Sequence, residues 1–79
     1  MAKVNTKKLV KVEKEKTAIH DDVDSSFSVF EENGTRIFQI DTYGRSSRKI
    51  HGKISQSIQL DRTDALILIE LLKSTFEIK

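Results

Sequence analysis

The amino-acid sequence predicts an α+β domain, a twisted antiparallel sheet of about four strands followed by one C-terminal helix, in the order ββββα. Three observations carry that expectation. Apolar and polar residues alternate with a period of two around Phe27–Val29 and again around Phe38–Ile40, the signature of half-buried strands. An Asn33-Gly34 pair separates those two runs. After Asp61 the apolar period lengthens to that of an amphipathic helix.

Taken in order, Ile19 and Val23 bracket a short first strand, and residues 26–30 form a second in which Ser26 and Ser28 alternate with Phe27 and Val29. Asn33-Gly34 supplies the positive backbone angles of a tight hairpin, so residues 36–43 return antiparallel. Phe38 and Ile40 then share one face, and Ile37, Gln39, Asp41 and Tyr43 the other. After a polar loop, residues 53–60 form a last strand, with Ile54, Ile58 and Leu60 toward the core and Lys53, Ser55, Ser57 and Gln59 opposite. Asp61 caps a helix that runs to about Phe76, and Asp64, three residues on, completes a short-armed capping box.

A chain of 79 residues holds one domain, here residues 17–79 preceded by a basic, poorly ordered arm over residues 1–16. So small a core needs a supplement, and the absence of cysteine removes disulfides and cysteine-based metal sites. His20 and His51 are the only histidines, so no metal and no cofactor are expected. No apolar run is long enough to span a membrane and no secretory signal is visible, so the expectation is a soluble, cytoplasmic protein. Self-association is the remaining supplement. Ala65, Leu68, Ile69, Leu72 and Phe76 form one helical stripe, widened by Ile67, Leu71 and Ile78 to about half the circumference. That arc is wider than a helix on one sheet requires. Ile67, Leu68, Leu71 and Ile78 are therefore expected at a homodimer interface, the alternative being that the arm folds back through Leu9, Val10 and Val12.

The net charge of +2 is unevenly placed. Lysines crowd the arm, Arg45, Arg48, Lys49, His51 and Lys53 form an acid-free basic segment, and Asp21, Asp22, Asp24, Glu31 and Glu32 lie between the two. Such separation can steer a polyanion to one face. Catalysis is not expected: Ser46 and Ser47 lie near His51, but nothing assembles a base, an orienting group and an oxyanion site. Gly34, Gly44 and Gly52 do not form a phosphate-cradling loop.

The segments FSVFEENGTRIFQIDTYGR and GKISQSIQLDRTDALILIELLKSTF, joined by the basic loop, resemble the single-stranded-DNA-binding domain of the transcriptional coactivator family called positive cofactor four. The resemblance covers residues 27–76 and is one of pattern and order. FQIDTYG and GKISQSIQLD are also similar to a group of short bacterial and phage-borne proteins. The coactivator resemblance implies a helix-mediated homodimer that binds single-stranded DNA or RNA through strand-borne aromatic and basic residues. On this sequence those are Tyr43 for stacking, Arg45, Arg48, Lys49 and Lys53 for phosphates, Phe30 and Arg36 as further candidates, and Gln39, Ser55, Ser57 and Gln59 as a polar stripe. Unlike that family, the chain has no tryptophan and carries Asp41 on the face in question. The competing reading is a protein-interaction module, such as a phage or mobile-element factor that inhibits or recruits a host protein.

Overall fold

The structure is a computed structural model and describes residues 1–44 and 53–79. It has the expected α+β order: four strands, β1 (Ala2–Lys3), β2 (Ser25–Glu32), β3 (Thr35–Tyr43) and β4 (Ile54–Leu60), then one helix, α1 (Arg62–Phe76). The strands lie in the order β1-β4-β3-β2.

The hairpin forms where the sequence places it. Glu32 pairs with Thr35, leaving Asn33 and Gly34 as a two-residue loop with φ of 52° and 80°. Both angles lie in the left-handed region that matches the twist of the flanking strands, and asparagine and glycine tolerate it best. β3 and β4 are antiparallel, with Phe38 opposite Leu60 and Asp41 opposite Ser57. The register shifts at Tyr43, which faces Ile54, so that Ser55 is passed over.

The first strand departs from expectation. Residues 19–23 form no strand; Ile19 is fully exposed, and the residue that a two-residue period would place between Ile19 and Val23 on the same face is the charged Asp21, so no apolar face forms. The outer position is taken instead by Ala2 and Lys3, which run parallel to β4, making the sheet mixed rather than wholly antiparallel. The expectation of a loose arm is thereby corrected for its first eight residues. The Val4 amide donates to the Gln59 carbonyl at 3.2 Å, a single 3-10 turn follows at Thr6–Lys8, and Thr6 is buried. Leu9, Val10 and Val12 stay exposed and do not cover the helix.

The helix has the predicted bounds and cap. Asp61 accepts from the Asp64 amide at 2.9 Å, and Asp64 accepts from the Asp61 amide at 3.2 Å, a reciprocal capping box. At its other end Glu77 turns into the left-handed region, φ 54°, and the Ile78 amide donates to the Lys73 carbonyl at 2.9 Å. Ile78 therefore lies past the helix and does not extend its stripe, a correction to the sequence reading.

A further correction concerns the core. By register, Phe27 and Val29, Phe38 and Ile40, and Ile58 and Leu60 share one face. That face was expected to be covered, yet Phe27, Val29, Phe38, Ile40 and Ile58 are all exposed. The reason is the course of α1, whose close approaches are to β4 and the 3-10 turn. Among the described residues, Ile37, on the opposite face, is the one buried apolar side chain. No helix is long and apolar enough to cross a membrane among those residues.

Candidate nucleic-acid interface

Alternation along the strands sorts the candidate residues onto two chemically different faces. The polar face carries Ser26, Ser28 and Phe30 from β2, Ile37, Gln39, Asp41 and Tyr43 from β3, and Ser57 and Gln59 from β4. Asp41, on the central strand, is its hub. Asp41 Oδ1 accepts from Ser57 Oγ at 2.5 Å and from Gln39 Nε2 at 2.8 Å, and Gln39 Oε1 accepts from Gln59 Nε2 at 2.7 Å. Asp41 and Ser57 are buried, Gln39 and Gln59 half-buried. Neutral donors fix the carboxylate, so this face holds a localised negative charge amid ordered amides and hydroxyls.

The two aromatic rings of this face lie toward opposite ends. Phe30 pairs with Ile37 near the hairpin and is half-buried. Tyr43 sits at the far end of β3, also half-buried, with its hydroxyl 2.8 Å from Ser26 Oγ and its amide donating to the Asp24 carbonyl at 2.9 Å. Lys53 is exposed just before β4, and Ser55 is exposed at the register shift beside Tyr43.

Arg36 does not join them. Its cross-strand partner is Glu31, and both lie on the apolar face. The guanidinium donates to Glu31 Oε1 from Nη2 at 3.0 Å and from Nε at 3.2 Å, an exposed pair that partly spends its charge locally. Arg45, Arg48 and Lys49 lie outside the described residues. Among the described residues, no cluster of histidine, aspartate and glutamate could hold a metal ion.

A polar cluster that the sequence reading missed ties the first residues to the helix start. Lys3 Nζ lies 2.9 Å from Asp64 Oδ2 and 3.0 Å from Asp61 Oδ2, and Thr6 Oγ1 donates to Asp64 Oδ1 at 2.8 Å. The lysine, then the threonine hydroxyl, then the Asp61 amide hold the Asp64 carboxyl well below the usual carboxylate range. The same contacts, first to Asp64 and then to Asp61, raise Lys3 above an ordinary lysine. A two-residue strand has no readable periodicity, and its partners are about sixty residues away, so only the capping box was visible beforehand.

The fold and its two faces define a small α+β sheet-and-helix domain. Comparison with protein-family models, with curated proteins and with solved structures finds no match.

Proposed function

We propose that the chain is a homodimeric, sequence-tolerant module that binds single-stranded nucleic acid along the polar face of its sheet. The observation that carries the reading is the separation of faces. Aromatic residues (Phe30, Tyr43) and ordered amides and hydroxyls (Gln39, Ser57, Gln59) share one side, and the exposed hydrophobic residues occupy the other. Such a combination suits unpaired bases, which stack on rings and bond to polar groups. Lys53, at the Tyr43 end, continues in sequence into the basic segment of Arg45, Arg48 and Lys49, which would carry the phosphates. Ile67, Leu68 and Leu71 of the helix belong to the proposed dimer contact. The resemblance noted from the sequence points the same way.

Titration of a labelled oligonucleotide at two salt concentrations tests this directly. The expected result is saturable binding that weakens steeply with salt. Replacing Arg48 and Lys49 together by Ala should lower the slope of log affinity against log salt by roughly 1.4, at about 0.7 per lost phosphate contact. Tyr43→Ala should instead cost about 1–3 kcal/mol at nearly constant slope, because stacking releases few counterions. Absence of saturable binding would favour a protein-interaction module acting through the exposed Phe27, Val29 and Phe38, the observation that supports that second reading.

A further inference from the structure

The apolar face of the sheet lacks a cover that a chain of this composition cannot do without. Phe27 stacks on Phe38 with ring centroids 5.3 Å apart, yet Phe27 remains 69% exposed and Val29 55%. Directly beside them α1 begins, and its first turn and the sheet enclose an open cleft lined by Val29, Phe38, Leu60 and Ala65, with Glu31 and Arg36 at its rim. Beyond that turn the helix offers Leu66, Ile69, Leu72 and Phe76 to solvent, each exposed by 46% or more. Two hydrophobic surfaces thus stand side by side in one chain, and neither covers the other.

We infer that the occupant of the sheet's apolar face is α1 of a second copy, exchanged reciprocally across a two-fold axis. The inference rests on the homodimer part of the proposed function and is independent of the nucleic-acid part. Area supports it first. The chain exposes 7504 Å², about half as much again as the roughly 4,900 Å² of a compact monomer of its mass. The excess, of order 2,600 Å², includes the extended residues 9–24. Even half of it reaches the amount, about 1,000 Å² or more per chain, that obligate homodimers bury. Dimensions support it next. The patch is three strands wide, about 10 Å between its outer strands, which is the width of a single helix with side chains. Finally, the uncovered helix stripe and the uncovered sheet face come from the same chain, so one isologous contact made twice satisfies both without any third component.

The chain has no cysteine, which makes the test clean. Val29→Cys and Leu72→Cys are prepared separately, mixed after brief unfolding, refolded and treated with a short bismaleimide. Neither variant alone can form a 29–72 link, so such a link reports contact between copies. The expected result is a cross-linked heterodimer from this mixture and little from a mixture of Ser28→Cys with Leu72→Cys, since residue 28 lies on the polar face. Circular dichroism of each variant establishes that it has folded. A second variant, Phe38→Glu, should raise the dimer dissociation constant by about 100-fold or more, because a charge would be buried unpaired, whereas Ser28→Glu should leave it unchanged. Equal cross-linking of both mixtures, a dimer with no 29–72 link, or sedimentation as a monomer at all concentrations overturns the exchange. Loss of oligonucleotide binding with the 29–72 link intact would count against the nucleic-acid reading alone.

Discussion

At the scale of single residues, Asp41 is the charged centre of the polar face and bears most directly on the proposed binding. Its carboxylate is anchored by Ser57 and Gln39 and cannot swing away without breaking both hydrogen bonds. A phosphate passing over the middle of the sheet would meet a fixed like charge, so a bound strand would keep its backbone toward the Lys53 side and its bases toward Phe30 and Tyr43. Asp41→Asn keeps the accepting oxygen and removes the charge. It should tighten binding of a labelled single strand by about 2- to 5-fold at low ionic strength, with the gain disappearing at high salt as screening removes it. Weaker binding in a fluorescence titration would mean instead that the carboxylate itself accepts from base amino groups. The residues most legible in the sequence were those whose chemistry acts on their own neighbours. Asn33-Gly34 specifies a turn by its backbone angles and Asp61 with Asp64 specifies a helix start, each within four positions. Asp41 was visible as an anomaly among strand residues, but its partner Ser57 stands sixteen positions away and follows only from register. Arg36 was named for its charge, although the two-residue period already puts it on the face of Phe38 and Ile40.

At the scale of elements, β1 and the 3-10 turn work as a clamp on the start of α1. Lys3 and Thr6 converge on Asp64 while Asp64 also closes the capping box, so one carboxylate joins the sheet edge to the helix. Because that carboxyl titrates lower in the folded chain than in the unfolded one, folding favours its ionised form. The stabilisation is complete above the ordinary carboxylate range and is lost as the pH falls through and below it. For Lys3 the sign is opposite: its contribution holds at neutral pH and disappears only as the pH climbs past the ordinary lysine range. Hydrogen exchange at the Val4 amide, which bonds to β4, should therefore lose protection as the pH drops below about 4, after correction for intrinsic rates. Asp64→Asn should show the unprotected behaviour at neutral pH already. Unchanged protection in either case would mean that the first strand is held by its backbone alone. The longer strands and the helix were readable because their periodicity extends over seven or more residues. β1 spans two residues and offered no period to read, while Ile19 and Val23 suggested a strand through β-branched composition alone.

At the scale of the whole molecule, the single chain is open, with a radius of gyration of 15.0 Å against about 12 Å for a compact chain of this length. If a second copy closes it, folding and assembly are one equilibrium, and the thermal midpoint must rise with protein concentration. Scanning calorimetry over a hundredfold range of concentration should show that rise, and Leu71→Glu should yield monomer or unfolded chain with a midpoint independent of concentration. The two-faced sheet also ranks the chain's tolerance to insertion and deletion. Adding a residue in the extended stretch between the 3-10 turn and β2 shifts no pairing. Removing one from the middle of β3 would turn every later side chain of that strand over, sending Asp41 to the hydrophobic side and Ile40 to the polar one. Within each strand the hydrophobic and polar faces are kept apart by nothing more than whether a residue number is odd or even, so a shift of one residue in the hairpin would exchange them.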